Sequence, residues 1–89
     1  MKRIFKYDLG FGLDSIELLE GTEILTARYQ KSMFGEGVKL WAVVETCNGV
    51  KTIPHRFLTL PTGAEIGAAK YIATIETPDG EIYHVFQLP

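Results

Sequence analysis

Lys70-Tyr71-Ile72-Ala73-Thr74-Ile75-Glu76-Thr77-Pro78-Asp79-Gly80-Glu81-Ile82-Tyr83-His84-Val85-Phe86-Gln87-Leu88 reads as one β-hairpin, two runs rich in β-branched and aromatic residues with Pro-Asp-Gly between them. A two-residue Asp79-Gly80 turn sets His84 opposite Ile75, Phe86 opposite Ala73 and Leu88 opposite Tyr71. A type I turn followed by a glycine bulge fits equally well and shifts every pair by one. Upstream, Asn48-Gly49 lies between Lys39–Thr46 and Val50–Leu60 and predicts a second hairpin, because Asn-Gly tolerates the positive φ of a type I′ turn. That pairing puts Trp41 opposite Arg56, Ala42 opposite His55 and Leu40 opposite Phe57, with the Arg56 guanidinium over the Trp41 indole. Pro54 cannot donate to a ladder, so its strand is expected to be an edge or to bulge there.

Working outward, Ile4–Leu9 alternates apolar with polar as a strand does, and Gly10-Phe11-Gly12 ends it. Asp14–Glu20 carries an Asp-x-x-Glu capping pattern, yet Gly21 cuts it too short for a self-supporting helix, so a short strand is expected. Glu23–Gln30 follows as a strand, with Leu25, Ala27 and Tyr29 on one face and Ile24, Thr26 and Arg28 on the other. Gln30–Gly37 reads as a mobile connection whose Met33 and Phe34 either fold back onto the sheet or project to meet a partner. Leu40-Trp41-Ala42-Val43-Val44 is apolar on both faces and calls for an interior strand or one covered by a partner. Thr62–Ala69 has room for at most one helical turn. The sum is one all-β domain over residues 1–89, a small antiparallel β-barrel or β-sandwich of six to seven strands. An offset of 42 residues also lays Gly21–Tyr29 on Gly63–Tyr71 and Leu40–Val44 on Ile82–Phe86, a hint of internal duplication.

Composition narrows the function classes. A chain of 89 residues buries roughly 60–65% of its extended surface, enough for a core without staples. Its single cysteine, Cys47, cannot form an internal disulfide and supports no structural zinc site, which points to a reducing cytoplasm. No window approaches the ~18 apolar residues of a membrane span, and no apolar region follows the basic start Met1-Lys2-Arg3. The net charge of −2 argues against a general nucleic-acid binder, although Lys2, Arg3, Lys6, Arg56 and Lys70 allow a local basic patch. The apolar content of 46% is high for so small a domain, so part of it is expected to meet another subunit or a partner, a homodimer first among these.

Gly10-Phe11-Gly12-Leu13-Asp14-Ser15 sits where a phosphate loop would, but the third glycine and the following long helix are missing, so a plain turn is expected. His55 and His84 are the groups expected to titrate near neutral pH; neither has a carboxylate and a nucleophile placed beside it by the sequence. No catalytic residue, metal site or cofactor is therefore assigned. Trp41, Arg56, His55 and Tyr83 form the most suggestive constellation, able to stack a base or anchor a protein, with His84, Met33 and Phe34 as further binding candidates. The plainer alternative keeps Trp41 in the core beneath Arg56.

Ile4-Phe5-Lys6-Tyr7, Ile16-Glu17-Leu18, Gly21, Ile24-Leu25, Leu40–Val44, Tyr71-Ile72-Ala73-Thr74 and Tyr83-His84-Val85-Phe86 together resemble a family of short phage and prophage proteins defined as a domain of unknown function. Phe57–Ile66 departs from the family pattern in being more apolar, with Pro61-Thr62-Gly63 at its turn. The resemblance implies a phage accessory role and brings no catalytic residues. The resulting expectation is a non-enzymatic binding protein in the host cytoplasm, an anti-defence or host-modulating inhibitor that engages a host protein or sequesters a small nucleotide. A self-associating virion or assembly component and a small nucleic-acid-binding β-barrel are the alternatives.

Overall fold

A computed structural model describes residues 1–46 and 49–89, which form seven strands: β1 (Lys2–Leu9), β2 (Gly12–Leu19), β3 (Glu23–Ser32), β4 (Gly35–Glu45), β5 (Thr52–Pro61), β6 (Lys70–Glu76) and β7 (Ile82–Gln87). They lie in two antiparallel sheets, ordered β1-β4-β3 and β2-β5-β7-β6. The sheets do not close into a barrel but stack as a sandwich, and the molecule measures 42 × 36 × 16 Å. The thin dimension suits two layers about 10 Å apart. Among the described residues no helix is long and apolar enough to cross a membrane, and Thr62–Ala69 forms a turn and irregular chain without a helical turn.

Alternation sorts the side chains. Val38, Leu40, Ala42 and Val44 of β4 face inward with Leu9 and Ala27, against Leu18, Phe57, Ala73, Ile75 and Val85 of the larger sheet. Phe57 and Leu40 are fully buried near the middle of this layer. Beside the core, β3 packs along β6 and joins the two sheets at one margin.

The β6–β7 hairpin forms as its sequence predicts, in the glycine-bulge register. Gly80 N–H donates to Thr77 O at 2.9 Å, Thr77 N–H to Glu81 O at 2.9 Å, and Gly80 stands at φ +87°. His84 therefore faces Thr74, and Tyr83 faces Ile75. The β3–β4 connection is a tight two-residue hairpin instead of a mobile loop, with Ser32 facing Gly35. The Ser32 hydroxyl donates to Gly35 O at 3.1 Å and accepts from Phe34 N–H at 3.3 Å, while Gly35, at φ +134°, supplies backbone freedom that Met33 and Phe34 do not need.

Three expectations are corrected. Lys39–Thr46 and Val50–Leu60 do not pair: β4 lies between β1 and β3, and β5 between β2 and β7, so the chain crosses from one sheet to the other after Glu45. The Asn48-Gly49 turn geometry and the Cys47 thiol fall on residues 47 and 48, outside the described residues. A bulge between Ile24 and Thr26 brings Ile24 to the core side with Ala27 and leaves Leu25 exposed, against uninterrupted alternation. The 42-residue offset does not carry into pairing either. Tyr29 pairs with Val38, so its counterpart Tyr71 would pair with Gly80; it pairs with Phe86.

Pro54 takes the edge-like setting, without a bulge in the β2–β5 ladder. β7 pairs only with Phe57–Pro61, so Pro54 sits where β5 has one neighbour and its missing donor removes no bond from a second ladder.

Candidate functional site

The predicted constellation is dispersed. Trp41 lies half-buried on the outer face of the three-stranded sheet, with Lys6 and Thr26 as its cross-strand neighbours, because Leu40 and Ala42 on either side of it take the core positions. His55 points between the sheets opposite Ile16. Arg56, next to it, faces the other way, on the outer face of the four-stranded sheet, and donates to Pro89 O at 2.9 Å. Trp41 and Arg56 thus belong to different sheets and make no cation–π pair.

His55 is buried, and its Nδ1 has no hydrogen-bond partner among the described residues. Burial holds its pKa below the ordinary histidine value, with Glu17 opposing weakly, so the imidazole is neutral at pH 7. It packs; it does not face a solvent-accessible reactant.

His84 occupies the outer face of the four-stranded sheet within a closed set of hydroxyls. Its Nε2 lies 2.8 Å from Thr62 Oγ1 and its Nδ1 3.0 Å from Thr74 Oγ1, which in turn lies 2.9 Å from Tyr71 Oη. Both ring nitrogens are engaged by neutral hydroxyls, an arrangement that fixes the ring and leaves its surface ready for contact.

Beside His84 a row of apolar side chains crosses the outer face of the four-stranded sheet. Leu13 pairs with Leu58, Leu58 with Phe86, and Phe86 with Tyr71, so one apolar row crosses all four strands. Leu60 pairs with His84 in the next row, and Ile82, opposite Glu76, lies one row beyond. Leu13 is 66% exposed and Tyr71 57%, while the Tyr71 and Phe86 rings meet edge to face at 5.9 Å. Most of this row was missed in the sequence, although Phe57-Leu58-Thr59-Leu60 carries the same signal of apolar residues on both faces that singled out β4.

Tyr83, adjacent to His84, belongs elsewhere. Its ring lies 4.8 Å from that of Phe11 at 60°, at the end of the sandwich where the β1–β2 link meets the β3–β4 and β6–β7 hairpins. Tyr29, Glu36, Asp79 and Glu81 share this cleft, and all but Tyr83 escaped sequence reading because they come from distant segments. Hydrogen bonds to Glu36 and Glu81 raise the pKa values of Tyr29 and Tyr83. Met33 and Phe34, 89% and 92% exposed, project from the tip of the β3–β4 hairpin at the same end.

The glycine segment after β1 is a sheet-to-sheet turn. Asp14 Oδ2 accepts Gly10 N–H at 2.7 Å, placing a carboxylate where a phosphate loop would offer free donors. Among the described residues no group of His, Cys, Asp or Glu side chains is arranged to hold a metal ion.

Two stacked antiparallel sheets with an apolar outer face define a small all-β sandwich domain. The chain belongs to the family described as Domain of unknown function (DUF7352), which it matches over residues 1–89. Comparison with curated proteins and with solved structures gives no match.

Proposed function

We infer that this chain is a non-catalytic binding protein that seats a host protein on the outer face of its four-stranded sheet, in the manner of a phage accessory protein acting in the host cytoplasm to modulate or block a host component. The cross-strand row Leu13–Leu58–Phe86–Tyr71 carries this reading. Covering the exposed Leu13 and Tyr71 contributes about 1–2 kcal/mol each, and the half-buried Leu58 and Phe86 between them make the row contiguous. The polar groups among them are already satisfied, since His84, Thr62, Thr74 and Tyr71 bond one another, so a partner can exclude water here without stranding a donor or acceptor.

Charge favours a protein over a nucleotide or nucleic acid as the occupant. Arg56 faces outward in the row next to Leu58 and Lys70 adjoins Tyr71, fewer cations than the several phosphate contacts from which nucleic-acid affinity is built.

The test is affinity capture from the native host with the wild-type chain and with Leu13→Glu and Tyr71→Glu, both at exposed positions, with circular dichroism used to check that each variant is folded. A protein retained by the wild type and released by both variants is the expected result. Identical captured sets would overturn the reading. So would light scattering that finds a wild-type dimer or larger assembly broken by the same variants, which assigns the face to self-association.

A further inference from the structure

The cleft at the hairpin end joins aromatic faces and negative charge in one concavity. Phe11 and Tyr83 form two walls tilted by 60° with centroids 4.8 Å apart, and Tyr29 lines the same space of about 440 Å³. Two of the three rings are fixed by carboxylates: Tyr29 Oη donates to Glu36 Oε2 at 2.9 Å and Tyr83 Oη to Glu81 Oε2 at 2.7 Å. Asp79, held by the Thr77 hydroxyl, completes the negative rim. Among the described residues no cation pairs with Glu36, Asp79 or Glu81, and Lys31 is the one positive side chain lining the cleft.

We propose that this cleft binds an organic ammonium cation, a quaternary or alkylated ammonium group held against the faces of Phe11, Tyr29 and Tyr83 and inside the field of Glu36, Asp79 and Glu81. Ring quadrupoles attract a weakly hydrated cation placed over their faces, and each phenol, by donating to a carboxylate, gains electron density in its ring. The carboxylates are not arranged as a metal-ligand set, so a hard ion finds no inner shell here, whereas a diffuse organic cation needs only proximity and apolar walls. The volume falls in the ~300–1,000 Å³ range of small-ligand sites. Lys31 works against the cation and sets the affinity below what the rings alone would give. The cleft is separate from the apolar sheet face, and its ligand does not depend on that face having a partner.

Titration with tetramethylammonium chloride, followed by NMR on the aromatic resonances, tests the proposal, with tert-butanol as the neutral isostere and sodium chloride matching ionic strength. Saturable shifts at Phe11, Tyr29 and Tyr83 are expected with tetramethylammonium, at least about tenfold tighter than with tert-butanol. Phe11→Ala and a Glu36→Gln/Glu81→Gln pair should each weaken binding several-fold, and Lys31→Met should tighten it. Choline and a peptide bearing trimethyl-lysine, compared in the same assay, separate a free metabolite from a protein side chain as the source of the cation. Equal response to tert-butanol or sodium chloride, shifts without saturation, or no loss in Phe11→Ala would overturn the proposal.

Discussion

Thr74 stands directly across the β6–β7 ladder from His84, and its hydroxyl, 3.0 Å from Nδ1, links the imidazole to the Tyr71 phenol. One hydroxyl thereby serves two partners beside the apolar Leu58–Phe86–Tyr71 row. Such a network locks the ring orientation more firmly than either bond alone would.

Removing that hydroxyl should be felt through both partners. Thr74→Val is expected to lower stability by about 1 kcal/mol in urea denaturation, and Thr62→Val, which frees Nε2, by a similar amount. Tyr71→Phe combined with Thr74→Val should lose less than the sum of the two single losses, since the valine has already broken the Tyr71 bond. Additive losses would place the network outside the energetics of the fold.

Gly80 holds the register that makes this network exist. At φ +87° an L side chain is strained by about 1–2 kcal/mol, so Gly80→Ala should lower the urea midpoint correspondingly. Gly67 lies outside the left-handed region, and a Cβ added there meets open space. Gly67→Ala should therefore be neutral or stabilise by up to about 1 kcal/mol through the unfolded chain. Thermal melts of the two variants side by side measure the contrast.

Strand positions were legible because period-two patterning and turn chemistry are local. The 70–88 hairpin could be read for the same reason, down to its two alternative registers. Its register mattered most: a two-residue turn would have put Ile75 opposite His84 and removed Thr74 from the imidazole. Sheet membership was not legible. Asn-Gly is a turn signal in the sequence, but whether β4 then meets β5 or crosses away depends on β1 and β3 competing for its edges, a contest between segments far apart in sequence. That one non-local choice separates Trp41 from Arg56 and dissolves the predicted constellation. Tyr83 and His84 show the same limit at a finer scale, adjacent residues sent by the pleat to the Phe11 cleft and to the outer face. The cleft itself combines four separate segments, and no single window of sequence contains it.

His55 makes acid stability the last expected consequence of this packing. Its folded-state pKa lies below its ordinary value of about 6.5 because burial penalises the imidazolium, and Glu17 only partly offsets this. The unfolded chain therefore binds the proton more readily than the folded one. Stability from the neutral imidazole is fully present above about pH 6.5 and is lost as pH falls from there through the depressed folded pKa. Among the described residues its Nδ1 also lacks a partner, so a shape-filling apolar residue relieves both the titration and the unmet polar atom. His55→Leu is expected to flatten the pH dependence of the urea midpoint between pH 7.5 and about 5.5, with the variant gaining on the wild type as the solution is acidified. Parallel profiles for the two proteins over that interval would show that the imidazole is protonated equally in the folded and unfolded chains, and that its burial is not felt as a charge penalty.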